Sequence, residues 1–249
     1  REWLNELAAS GIGVWQFLPL APPDSLGSPY SSPSSFALNP WFLDQNDLVR
    51  DGFLANNLED FSSANDCFKN RVDFHLANSK VKSLRFSLVD DWSKQNRTIQ
   101  EEFEIWCSKQ FWLDDHSIFM ELKIQNNDLP WWEWPEEYAG RDKKELENWK
   151  KNNQKELLGH KLLQWHLDRQ WQSIRELAKN LGIYLFGDVP FYVSKDSADV
   201  WGNRSLFSIL TNSDTFLQSG VPPDYFSETG QLWGNPVYRW SRHKASRYR

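Results

Sequence analysis

Two short, unbroken apolar runs constrain this 249-residue chain more than any other feature. They are "GVWQFLPL", starting at Gly13, and "GIYLFGDVPFYV", starting at Gly182. Each follows a segment with helical spacing. In "REWLNELAASG", Trp3, Leu4, Leu7 and Ala8 share one face and Gly11 closes the segment. From about Gln154 to Asn180, Leu163, Leu167, Trp171, Ile174, Leu177 or Ala178 and Leu181 recur every three or four residues and Gly182 ends the run. A helix feeding an apolar strand, twice over, predicts a parallel sheet with helices outside and strands buried on both faces. Roughly 165 residues separate the two strands, far beyond an ordinary crossover. Most of that length is therefore expected to be an inserted helical subdomain.

Within the insertion, "TIQEEFEIWCSKQFWLDDHSIFMELKIQ" places Phe103, Trp106 or Cys107, Phe111 and Leu113 or His116 at helical intervals. "LPWWEWPEEYAG" sets Trp131, Trp132 and Trp134 between prolines, which reads as a turn packed inward. "KKELENWKKNNQKE" reads as a solvated helix face. His160 and His166 stand six apart on the long helix, a spacing that does not put two metal ligands on one face.

Fifteen tryptophans are the one anomaly of composition. Core packing accounts for many of them, and some would suit stacking on flat-faced ligands such as sugars. The net charge of −6, with both signs interspersed, offers no basic stripe for nucleic acid and no polybasic anchor for a membrane. Cys67 and Cys107 are too few for a disulfide framework and form no CxxC pair for zinc, so reduced thiols in a cytoplasmic protein are expected. There is no run of 18 apolar residues.

The candidate functional residues lie on loops. Asp188 ends the second apolar strand, so its carboxylate is expected at the carboxyl edge of the sheet, where α/β barrels assemble their sites; the alternative is a carboxylate that caps the next turn. Tyr30 follows the first strand in "GSPYSSPSSF" and is expected over the same edge. Asp196 and Asp199 read as turn and N-cap carboxylates. The stretch "GVPPDYFSETGQLWGNPVY", Gly220 to Tyr238, holds three of the chain's twelve glycines and three of its twelve prolines around Asp224, Tyr225, Phe226, Glu228, Gln231 and Trp233. So many breakers exclude a helix interior or a central strand, while the aromatics and carboxylates suit a shaped loop with a function.

Three stretches, "GSPYSSPSSFALNP", "GIYLFGDVPFYVSKDSADVW" and "GVPPDYFSETGQLWGNPVYRW", together with the helix "LLQWHLDRQWQSIRELAKNLG", resemble the signatures of the 4-α-glucanotransferases, the amylomaltase or disproportionating-enzyme family. The match is in order and spans most of the chain, weakest from about Asn46 to Ser117. The resemblance implies an α/β fold, part of a (β/α)8 TIM barrel with a large helical insertion: partial barrel at 1–44, insertion at 45–153, partial barrel again at 154–249. It implies an enzyme that cuts and rejoins α-1,4-glucans with retention, without cofactor or metal. Such a mechanism needs a carboxylate nucleophile and a carboxylic acid about 5 Å apart.

Carried over position by position, Ser28 and Tyr30 resemble substrate contacts, and Asp188 resembles a carboxylate that binds sugar hydroxyls. In the loop over the cleft, Tyr225 and Phe226 supply apolar cover, Asp224 and Gln231 partner hydroxyls, and Trp233 offers a stacking face. The family's nucleophile motif (Arg-x-Asp-His-Phe-Arg type), acid/base motif (Glu-Asp-Leu-Gly type) and later His-Asp motif are not in these 249 residues. The expectation is therefore an internal fragment that binds α-1,4-glucan or maltooligosaccharide and carries no catalytic residue. The alternatives are a non-catalytic α-glucan-binding protein and a related α-glucan hydrolase.

Overall fold

The computed structural model describes residues 1–56, 72–210, 214 and 217–248; Cys67 lies outside them. In chain order the helices are α1 (Glu2–Ala9), α2 (Gln45–Arg50), α3 (Phe74–Trp92), α4 (Arg97–Lys109), α5 (Leu113–Gln125), α6 (Glu136–Ala139), α7 (Lys143–Asn152), α8 (Gln154–Asn180), α9 (Ala198–Gly202) and α10 (Trp240–Ala245). The strands are β1 (Val14–Gln16), β2 (Tyr184–Phe186), β3 (Gln218–Val221) and β4 (Gln231–Pro236). The chain packs as two compact units. One is Arg1–Leu20, Leu38–Leu113 and Asn153–Asp188, and the other is Ala21–Ala37, Asp114–Asn152 and Val189–Arg249. Residues 45–153 are thus shared between the two.

In the first unit β1 and β2 pair in parallel, Val14 with Tyr184 and Gln16 with Phe186. The parallel pairing is the one expected from two helix-then-strand segments. Burial on both faces is not observed. Leu4 and Leu7 of α1 pack with Ala178 of α8 and Ile183, and Trp15 and Leu185 rest against them. Val14 (55% exposed), Tyr184 (77%), Phe186 and Leu18 face away from that cluster. An apolar run shows that a strand tolerates burial on both faces, and only the packed elements decide which face receives it.

The core of this unit is built on α8. Its Leu162, Leu163, Trp165 and Leu167 pack with Leu43, Leu48, Phe53, Leu84, Leu88 and Phe103. Gln164 and Gln170, six residues apart on α8, clamp the segment before α2: Gln164 bonds both the N–H and the carbonyl of Leu38, and Gln170 both those of Asp44, each at 2.9 Å. Where α8 passes α3, position 159 is glycine; a β-carbon there would stand 2.5 Å from Cγ of Arg85. Arg85 itself is buried and donates to His160. His160 and His166 are therefore both core residues.

The core of the second unit is aromatic. Trp131, Trp134, Trp201 and Phe119 are buried, and Phe119, Trp134 and Trp201 meet with ring centroids 5.3 to 5.9 Å apart. A buried indole N–H needs an acceptor, and each has one. Trp131 donates to the Lys195 carbonyl at 2.8 Å, Trp134 to the Leu129 carbonyl at 2.9 Å, and Trp201 to the Tyr138 carbonyl at 3.0 Å. Trp149 of α7 donates to Gln125 and is buried along with Leu146, so the charge-laced helix has one apolar stripe.

Candidate functional site

Chemistry-bearing side chains of the second unit gather on two loops, residues 21–37 and the hairpin β3–β4. In the first loop Asp24 accepts hydrogen bonds from the N–H groups of Leu26 and Ser28, both at 2.9 Å. Ser28 in turn caps a 3₁₀ turn at Pro29–Ser31, its hydroxyl accepting from the Tyr30 N–H at 3.3 Å. The tight turn leaves the Tyr30 ring 43% exposed. Further along, the Ser35 N–H donates to Asp199 at 2.9 Å and the Pro33 carbonyl accepts from Ala198, which ties the loop to the start of α9. Burial raises the Asp199 carboxyl above its ordinary range, and the bond from Ser35 works against that rise. Ser197, rather than either neighbouring aspartate, caps α9. Asp196 instead pairs with Lys123 at 2.5 Å.

The stretch rich in Gly and Pro is an antiparallel two-stranded hairpin. Gly220 faces Leu232 and Val221 faces Gln231, with a register shift between Gln218 and Gly220. The breakers have definite places. Gly230 sits at φ +74°, where a β-carbon would lie 2.6 Å from the Val221 carbonyl, so only glycine closes the turn there. The Asp224 carboxylate accepts from the N–H groups of Phe226 (2.9 Å) and Ser227 (2.8 Å), while the Ser227 hydroxyl donates to the Gly230 carbonyl at 2.7 Å. Such a self-bonded turn holds its shape without core contacts.

What this turn holds up is aromatic. Tyr225 is 98% exposed and Phe226 90%, with the two rings edge to face at 5.8 Å. On β4, Trp233 is 46% exposed, and its indole N–H donates to the Gln231 side chain at 3.0 Å. Behind Trp233 an aromatic row continues. Tyr192 stands edge-on to Trp233 at 6.4 Å and stacks on Tyr238 at 6.1 Å with 14° between planes; Tyr238 meets Phe207 at 5.5 Å. Burial, with Asp199 and Tyr192 adding to it, raises the Tyr238 phenol above its ordinary range, so it stays neutral.

Asp188 belongs to the first unit, exposed just beyond the carboxyl end of β2. The eight sequence-derived residues therefore divide in character. Tyr30, Tyr225, Phe226 and Trp233 present faces to solvent. Ser28, Asp224 and Gln231 hold those faces in place through bonds to Tyr30, to Phe226 and Ser227, and to Trp233. Tyr192 is the residue that sequence reasoning passed over. It lies far from Trp233 in the chain, and no spacing rule links them.

The fold and these loops define a mixed α/β protein that displays aromatic faces on turns fixed by their own hydrogen bonds. The family model described as 4-alpha-glucanotransferase matches residues 1–249, and the chain belongs to that family. It is 38% identical over 249 residues to a 4-alpha-glucanotransferase of Synechocystis (98% of this chain, 49% of the relative). It is 37% identical over 242 residues to one of Thermus thermophilus (96% and 47%). Among solved structures, the amylomaltase of Streptococcus agalactiae in complex with acarbose superposes with a TM-score of 0.86 at 28% identity, covering 99% of this chain and 50% of that one. The chain spans about half the length of the curated relatives it matches.

Proposed function

We propose that this chain is the glucan-binding part of a 4-α-glucanotransferase. The parent enzyme transfers a segment of an α-1,4-glucan to a 4-hydroxyl of glucose or a maltooligosaccharide by a retaining double displacement, with its carboxylate pair outside these 249 residues. One observation carries the reading: Tyr225 and Phe226 stand almost fully exposed on a turn that Asp224 and Gly230 lock. Large apolar rings held rigidly in water have no folding role, and a sugar ring gives them a partner.

In this reading Trp233, Tyr225 and Phe226 stack on glucosyl rings and shield a covalent intermediate from water, while Tyr30 contacts substrate from its own loop. Asp188 accepts hydrogen bonds from sugar hydroxyls. Ser28, Asp224 and Gln231 serve mainly as supports, since their oxygens already accept bonds within the loops. Excluding water matters for a transferase, because a second sugar hydroxyl must resolve the intermediate. β1 and β2 are strands of a (β/α)8 barrel, at 1–44 and 154–249, with residues 45–153 as the helical insertion; the apolar face of Val14, Tyr184 and Phe186 suits a barrel interior. The sparse cysteines support a cytoplasmic setting.

Incubation of the chain with maltotriose, followed by chromatography, tests the assignment of chemistry to residues outside it. No glucose and no longer maltodextrins are expected above a blank. Products of transfer would place the catalytic pair within these residues and overturn the reading.

A further inference from the structure

Trp233 is the least exposed of the three hairpin rings, and Tyr192 stands behind it. Tyr225 and Phe226 lean on each other at the turn, whereas the backing of Trp233 runs to the core. Half-buried Tyr192 meets the indole at 63° with centroids 6.4 Å apart and stacks on Tyr238 at 6.1 Å. Tyr238 in turn meets the buried Phe207 at 5.5 Å. These last two are fixed through the main chain: Phe207 bridges Tyr238, the Ser208 N–H donates to the Val237 carbonyl, and the Arg239 N–H donates to the Leu206 carbonyl, both bonds at 2.8 Å. Tyr192 is anchored along its own segment too, since the Lys195 carbonyl accepts from the buried Trp131 indole at 2.8 Å. None of the roles given above uses Tyr192.

The backbone of β4 brings these rings together. Trp233 and Tyr238 are five residues apart, so regular strand alternation would point them to opposite faces. Both nonetheless meet Tyr192. Gly220 pairs with Leu232 and Gln218 with Pro236, so two steps along β3 oppose four along β4, and Gly234 within the extra length sits at φ +76°. A bulge with a left-handed glycine bends its strand and re-aims the side chains beside it. A β-carbon at Gly234 would meet nothing within 4 Å, so backbone conformation, not crowding, sets this position. The indole is then held at two points, by Tyr192 and by its own N–H, which donates to the Gln231 side chain at 3.0 Å.

We propose that Tyr192 is a positioning residue for glucan binding: it fixes the plane of the Trp233 indole, so that the ring meets a glucosyl unit already oriented. The proposal rests on the glucan-binding reading above and adds to it a residue that acts through Trp233. An aromatic side chain free to turn loses rotamer entropy when a ligand immobilises it, and a ring held beforehand avoids that cost. Tyr192 makes both of its contacts with its ring, so the ring and not the phenol hydroxyl carries the role.

The test is a double-mutant cycle on maltoheptaose binding by the full chain, measured by calorimetry. The 19F spectrum of the chain labelled with 5-fluorotryptophan reports the Trp233 ring, whose line is assigned by its loss in Trp233→Phe. Tyr192→Ala should weaken binding about threefold to fivefold and shift the Trp233 line. Tyr192→Phe keeps both ring contacts and should bind like the parent. In a Trp233→Ala background Tyr192→Ala should cost nothing further, because the ring it positions is gone. Unchanged affinity or an unmoved 19F line in Tyr192→Ala, or losses that add in full in the double variant, overturns the proposal and leaves glucan binding in place. Absence of binding by the unaltered chain is a different failure, which overturns the glucan-binding reading and the proposal with it. Should Tyr192→Ala fail to fold, Tyr192→Leu, which keeps bulk without an aromatic face, takes its place with the same expected outcomes.

Discussion

His166 lies in the core of the first unit, its ring 4.6 Å from that of Phe53 and 4.8 Å from that of Trp165. Burial, and then the Arg169 guanidinium, push its pKa down to about 3. In the unfolded chain the same imidazole takes a proton near its ordinary pKa of about 6.5. Below that pH the unfolded state binds more protons than the folded one, so stability falls as pH drops from about 6.5 towards 3. His166→Gln, which cannot charge, should flatten this part of the pH profile of the melting midpoint even if it lowers the midpoint at neutral pH. An unchanged slope would mean that the imidazole charges in the folded state. Asp224 offers a second residue-scale test. Asp224→Ala removes the acceptor for two N–H groups and should make the Pro222–Gly230 turn markedly more sensitive to limited proteolysis, whereas Asp224→Asn keeps an oxygen acceptor and should stay close to the parent. The Asp224 sequence context, with two prolines before it and Gly230 after, shows a turn; it does not show that the carboxylate faces inward to the backbone, which depends on the turn's closed geometry.

At the scale of the element, α8 was the most legible part of the chain. Its bounds follow from a 3.6-residue repeat sustained over 27 residues and stopped at a glycine with positive φ. The parallel pairing of β1 and β2 was legible too, because each strand follows a helix. Which strand face is covered was not, since Val14, Tyr184 and Phe186 are as apolar as the Trp15 and Leu185 that do pack. Nor was the break between α4 and α5, where a run of helical spacing turns at Gln110. The crossing of α8 over α3 yields a prediction. A methyl group at Gly159 would enter the space of the Arg85 stem. Gly159→Ala gains helix propensity of about 1 kcal/mol, yet the clash in a packed core costs about 1 to 3 kcal/mol, so the variant should be less stable or at best equal. A clear gain in denaturation midpoint would show that Arg85 yields freely.

At the scale of the whole molecule, an α/β framework carries large aromatic side chains exposed to solvent, and in the proposed function those faces bind a glucan. The bare strand face of Val14, Leu18, Tyr184 and Phe186 should bind a hydrophobic dye, and Tyr184→Ser with Phe186→Ser should reduce that signal. In the proposed function the exposed rings of the β3–β4 hairpin are the glucan-binding surface. Titration of maltoheptaose into the chain, followed by tryptophan fluorescence and calorimetry, tests it most directly when repeated with Tyr225→Ala, Phe226→Ala and Trp233→Ala. Saturable binding is predicted for the parent chain, weakened about tenfold by Trp233→Ala, since a lost stacking face of about 1.4 kcal/mol corresponds to that factor. Smaller losses are predicted for the two turn residues. No binding by the parent, or identical affinities in all four proteins, would contradict the claim that these exposed rings are a glucan-binding surface.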